Sequence, residues 1–180
     1  MKNLKKTVKD IVKDALSKYQ KENKKVREFA AERSRYNPDY YNEKKAEMEA
    51  ARDAILKAAQ KQIDAHVSAF NEQFHDKLDA SQITDDVKLL NCGLKLSAED
   101  LHDIFDRSKG NPTMQMLVQR YANDNQVHGY NRQYVTAAMK REHVEGLSKI
   151  AKNAFSRPDW VDSWTSDEYW ETAVSDEIPG

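Results

Sequence analysis

Cysteine is almost missing from this 180-residue sequence: Cys92 stands alone, so no intrachain disulfide can form. Five glycines and four prolines are too few for a turn-rich all-β protein or a low-complexity chain. No apolar run approaches the roughly 20 residues that cross a bilayer, and Met1 to Val12 is lysine-rich without the apolar stretch of a signal peptide. Asn111-Pro112-Thr113 fails as a glycosylation acceptor because proline holds its middle position. The expectation is a chain without membrane contact that stays inside the cell that makes it.

The motifs of familiar chemistry are missing too. No GxxxxGK[ST] or GxGxxG loop is present to cradle a phosphate. The histidines, at 66, 75, 102, 128 and 143, are never four apart around a glutamate, the spacing that puts two imidazoles on one helix face. Cys92 falls at a helix end rather than at an N-terminus that would favour its thiolate, so it reads as a small packing residue. Glu99, Asp100, Asp103 and Asp106 read as acids favoured by the dipole of a helix start, since they lack the ligand alternation and sharp glycine turn of a calcium loop. No catalytic, cofactor-binding or metal residue is assigned, and the chain is expected to be non-enzymatic. An enzyme would have to assemble its site from distant residues.

Charge is abundant and unevenly placed. Residues 1–36 carry 12 Lys or Arg against five acids, whereas residues 159–180 carry seven acids and no base. The formal net charge is -1, so a positive head and a negative end nearly cancel. Such polarity suits head-to-tail association or a charged partner.

Apolar periodicity predicts an all-α chain. Leu4, Val8, Ile11, Val12, Ala15, Leu16 and Tyr19, then Val26, Phe29 and Ala30, trace one amphipathic helix with a polar gap over 20–25, stopped at Asn37-Pro38. Met48, Ala51, Ile55, Ala59, Ile63, Val67, Phe70, Phe74 and Leu78 predict a second, from about 40 to 78 and roughly 58 Å long. Their steps of three and four average above the heptad value, which favours a fairly straight helix over a left-handed coiled coil. So long a helix must pack along the first as a hairpin, against other chains, or both.

Short punctuated helices follow. Asp85 to Asn91 is a helical turn or two closed by Gly93, Ser97 with Asp100 resembles a capping box, and Asn111-Pro112 opens the next helix after Gly110. A last long helix is expected over roughly 131–155, closed by Arg157-Pro158. The expected organisation is a helical hairpin over 1–80, a small helical bundle over 81–156, and an acidic, aromatic tail over 157–180.

Three groups of residues are candidates for interaction. Trp160, Trp164, Tyr169 and Trp170 could anchor the tail to a partner or staple it back onto the chain's own helices. Ile55, Ile63, Val67, Phe70 and Phe74 are expected to pack between helices or chains. Lys5, Lys9, Lys13 and Lys24 form a basic face suited to an acidic surface, a neighbour's tail or packaged DNA. If the tail is a docking peptide, truncation after Arg157 should abolish partner binding and leave helix content nearly unchanged.

The run Asp85-Asp86-Val87-Lys88-Leu89-Leu90-Asn91-Cys92-Gly93-Leu94-Lys95-Leu96-Ser97-Ala98-Glu99-Asp100-Leu101, with Gly110-Asn111-Pro112-Thr113-Met114 and Tyr121-Ala122, resembles a segment of small helical proteins encoded among tailed-bacteriophage structural genes. It covers about 40 residues, residues 85–125 in all. The resemblance implies a head-assembly or virion role, as an internal scaffold or a resident minor virion protein, and no catalytic residues. On that reading the chain forms homo-oligomers, binds a capsid, portal or tail protein, and is found in the host cytoplasm during assembly or in the virion. The alternative is a nucleic-acid-binding accessory protein using the basic N-terminal helix.

Overall fold

The computed structural model describes residues 1–178; Pro179 and Gly180, the end of the expected tail, lie outside them. Eight α-helices and two short 3-10 turns, with no strand, make up the regular structure of the described residues. They pack into two compact units, one of residues 1–74 with the chain from 138 onward, the other of residues 75–137.

The first unit begins with the expected hairpin. Helix α1 spans Lys2–Ala31 and crosses the polar gap unbroken. A 3-10 turn over Arg33–Arg35 leads to Asn37, whose side chain accepts the Asp39 N–H while Pro38 fills the first position of α2, Pro38–Asn71. The hairpin end is closed by aromatic packing: Phe29 stacks on Tyr41 at 5.3 Å and lies 5.0 Å from Tyr36. Nearer the middle, Arg52 on α2 lies 5.2 Å over the Tyr19 ring and donates to Asn23 Oδ1 at 3.0 Å, fixing the register of the two helices.

Two helices cannot enclose their own apolar stripes, and a third closes this core. Helix α6, Ala137–Ser156, buries Val144, Leu147, Ile150, Ala151 and Ala154 against Leu4, Val8, Val12 and Leu16 of α1 and Ile63 and Val67 of α2. The tail then adds α7, Val161–Thr165, and α8, Asp167–Ala173, which place Trp170 and Val174 in the same core.

The second unit holds α3, Asp86–Asn91, α4, Ala98–Arg107, and α5, Pro112–Asp124. Leu90, Leu101, Ile104, Phe105, Met114, Val118 and Ala122 form its own core, with Tyr121, Tyr130 and Tyr134 packed at its edge. The expected punctuation is present. Gly93 and Gly110 adopt φ of 77° and 83°, a left-handed geometry that costs glycine little. Ser97 and Asp100 form a reciprocal capping box, and Asn111 accepts the Met114 N–H at 3.0 Å. The Ser97 hydroxyl and its backbone N–H both donate to Asp100, holding that carboxyl below its ordinary value.

Three boundaries differ from those expected. Helix α2 ends at Asn71, not near 78: the Arg141 guanidinium donates to the Phe74 carbonyl, and Leu78 is exposed rather than part of a packed stripe. Helix α6 starts at Ala137, not near 131, because the preceding segment is tied down elsewhere. Arg132 grips Asp106 with two bonds of 3.0 and 2.8 Å, and the Tyr134 N–H donates to Gln119. Asp76 accepts from the Ala137 N–H and the Tyr134 hydroxyl, so a carboxylate caps the positive end of α6. Third, the expected segments 1–80, 81–156 and 157–180 are not the units of packing. The apolar face of α6 belongs to the hairpin core rather than to the short helices, and the tail belongs there too.

Ser97→Ala removes the hydroxyl that accepts the Asp100 N–H and leaves the backbone N–H of residue 97 donating to the Asp100 carboxylate. It should lower the stability of α4 by about 1 kcal/mol, read as faster amide hydrogen exchange over residues 98–107.

Candidate functional site

The most highly charged surface of the chain is α1, and its own tail lies along it. Arg27 is 3.8 Å from Asp159, Lys13 is 3.7 Å from Asp167, Lys9 also pairs with Asp167, and Lys5 is 3.3 Å from Asp176. As the tail number rises, the α1 number falls, so the tail runs antiparallel down the helix. From Arg27 to Lys5 that path covers about 33 Å of helix axis.

Lys5 is the least expected member. It is 7% exposed, and its ammonium donates to the Val174 carbonyl at 2.7 Å in addition to facing Asp176. A buried ammonium is tolerable only when so partnered. The lysine-rich face is thus largely engaged within the chain. Lys5, Lys9 and Lys13 meet the tail, Lys24 pairs with Glu28 at 3.8 Å, and Lys18 and Lys25 pair with Asp14 and Glu22.

The four tail aromatics divide. Trp170 is 2% exposed inside the core, and its indole N–H donates to the Trp164 carbonyl at 2.8 Å. Trp164 donates in turn to the Arg157 carbonyl at 3.1 Å and meets Tyr169 edge-to-face at 5.2 Å. Trp164 and Tyr169 are half-buried against the same core. Only Trp160 faces outward, 59% exposed beneath the Arg157 guanidinium. Helices of five and seven residues have no stability of their own, so this aromatic packing holds the tail. Truncation after Arg157 would therefore open the core, and the expectation of unchanged helix content does not hold for this arrangement.

Four of the five stripe candidates lie on α2, Phe74 falls beyond its end, and they are not equally used. Ile63 and Val67 are buried, whereas Ile55, Phe70 and Phe74 are half-buried. Beside Ile55, α1 and α2 leave a groove of about 540 Å³ floored by Ile11, Ala15, Ala58 and Ala59 and edged by Asp10 and Asp14. Between α2 and α6 a second, polar groove holds Gln60, which donates to Asp64 at 2.8 Å and to Ser148 at 2.9 Å. Those bonds tie the two helices together.

In the second unit, polar groups converge where His102 stacks on Tyr130 at 5.4 Å and accepts the Asn131 N–H at 3.2 Å. Burial pushes the Tyr130 hydroxyl up to about 12. Beside it, the Arg132 guanidinium keeps Asp106 below its ordinary value and fastens the 131–136 segment to α4. No group of three His, Cys, Asp or Glu that could hold a metal ion occurs among the described residues, and none of their helices is long and apolar enough to cross a membrane.

Sequence reasoning found both charged ends and left open whether the tail staples back onto the chain's own helices or docks on a partner; here it lies along α1 of the same chain. That reasoning missed Lys5 as a buried cation, Asp167 as the shared partner of two lysines, and the groove at Ile55. The opposite charge of the ends was the available signal for the first two.

Trp170→Ala should destabilise the full chain by about 3–5 kcal/mol in urea unfolding, whereas Trp160→Ala should change it by less than about 0.5 kcal/mol. Tail docking should also depend on acid. A hydrogen bond from Lys9, then the charges of Lys9 and Lys13, lower the Asp167 pKa from 3.8. A folded-state pKa lowered in this way stabilises above the unfolded value, and that stabilisation is lost as pH falls through the folded one. Wild-type tryptophan emission should therefore keep its docked form below pH 3.8 better than Asp167→Asn, with the two converging once Asp167 is protonated. Compared with known protein families, with curated proteins and with solved structures, the chain matches none.

Proposed function

We propose that this chain is a non-enzymatic helical structural or assembly protein of the tailed-phage type, which self-associates and contacts a capsid, portal or tail protein. The observation that carries the reading is the incompletely used face of α2. Ala59, Ile63 and Val67 are buried within the chain, while Ile55 is half-buried and Ala51 and Ala58 are exposed beside an open groove. A long hairpin braced at one end by a three-helix core presents such a face rigidly, as a subunit of an assembly must.

The resemblance of residues 85–125 to phage structural proteins supports the same reading and supplies the class of partner. Whether the protein acts as a departing scaffold or a resident of the particle depends on the lifetime of its contacts. Nucleic-acid binding by α1 draws less support, because the bases that would meet phosphates already face the tail or acids one turn away.

Sedimentation of the full chain over a wide concentration range, at low and high salt and with or without a DNA fragment, tests the reading. Oligomers that grow with concentration and ignore DNA are expected. A monomer that co-sediments with DNA only at low salt would overturn it in favour of a nucleic-acid-binding protein.

A further inference from the structure

Helices α2 and α6 do not close on each other along their whole length. At the end near Tyr19 they leave a groove of about 490 Å³, and toward Asn71 the polar groove that holds Gln60, of about 610 Å³. Gln60 and Lys152 line both, so the two are ends of one trough. From Arg52 to Asn71 it follows α2 for about 28 Å.

Its ends differ in kind. At the Tyr19 end the floor is apolar: Leu56 and Phe155 are half-buried against the core, with Tyr19 and Pro158 beside them. Arg52, Lys57 and Lys152 stand around this floor against one acid, Asp53, which Arg52 already engages at 2.8 Å. Lys57 on α2 and Lys152 on α6 are exposed on facing walls and have no ion pair among the described residues. At the Asn71 end the walls are polar and mixed in sign, with Asp64 and Glu145 beside Arg141 and Lys149.

An apolar floor under a surplus of positive charge states what covers it. Carboxylates on Lys57 and Lys152 with a large apolar side chain over Leu56 and Phe155 satisfy both features at once. The chain already contains one contact built this way: Trp170 seats in the core while Asp167 and Asp176 meet lysines of α1. That tail is not free to fill the trough of a second copy, because Trp164, Tyr169 and Trp170 are held against its own core. A nucleic-acid strand fits less well, since its unbroken row of phosphates would run past Asp53, Asp64 and Glu145 on the same walls.

We propose that the trough between α2 and α6 docks an acidic segment of another protein, with an aromatic or aliphatic side chain over Leu56 and Phe155 and its carboxylates on Lys57 and Lys152. The proposal rests on the partner contact put forward above and names the surface that makes it.

A display library of random peptides of about nine residues, the extended length that matches the trough, tests it when selected on the full chain at low salt. Enriched sequences are expected to join Asp or Glu to Trp, Phe or Leu. For a synthetic peptide of the most enriched sequence, Lys57→Glu with Lys152→Glu should raise the dissociation constant about tenfold or more. A peptide with its acids exchanged for lysine should in turn bind that variant better than the unaltered chain. Both lysines are exposed, so circular dichroism of the variant should match the wild type. As a measurement independent of charge, the peptide carrying a photo-reactive phenylalanine should label residues 52–60 or 149–158. A library that enriches nothing or enriches sequences without acids, an affinity indifferent to both lysines, or labelling elsewhere overturns the trough. Oligomers in the sedimentation experiment would then leave the self-associating assembly protein standing. A single-stranded DNA that displaces the peptide and is itself lost in the lysine variant overturns the peptide in favour of a nucleic acid.

Discussion

Two antiparallel helices share one line of contact, and each keeps the rest of its circumference open to water. For α1 that is a severe constraint, because Leu4, Val8, Val12 and Leu16 form an apolar wall too broad for α2 alone. The remaining enclosure comes from α6 and from Trp170 and Val174, parts of the chain more than a hundred residues away. Lys5 follows from the same closure. Once Val174 seats against α1, the ammonium loses its water, and the Val174 carbonyl and Asp176 replace it. The positions of α7, α8 and the ion pairs along α1 all depend on that wall being covered.

The charge layout takes on a different meaning in the folded chain. A positive head and a negative end invite association between molecules, yet here they meet within one, and most of the pairs are exposed and individually weak. Together they line the docked tail with opposite charge from Asp159 to Asp176. Apolar burial of Trp170 supplies the holding energy. Neutralising α1 in this way also removes much of the field that would draw it to nucleic acid.

How much of this was legible in the sequence depended on the range of the interaction. Local rules succeeded: the Ser97 and Asn111 caps, the Gly93 and Gly110 turns and the two long amphipathic helices follow from residues within one or two turns of each other. Long-range assignments failed for a stated reason. The face formed by Val144, Leu147 and Ile150 declares that α6 is covered, but periodicity does not say by what, and proximity in sequence pointed to the short helices. Helix ends set by tertiary partners were misplaced likewise: Asp76 caps α6 from 61 residues away, and Arg141 captures the Phe74 carbonyl from 67. The stripe on α2 marks Ile63 and Val67, which are buried, no differently from Ile55, and whether Ile55 meets its own chain or another is not written in its spacing.

The second unit is inserted into the first: residues 75–137 interrupt a core whose walls are built from both sides of the interruption. During synthesis the hairpin therefore emerges early with its apolar wall uncovered, while the short-helix unit draws its core from 63 consecutive residues. The hairpin must wait for α6 and then for Trp170 and Val174 to leave the ribosome. Throughout that interval the apolar wall of the nascent hairpin is open to other nascent chains, including copies of itself, and the arrival of Trp170 and Val174 ends its exposure.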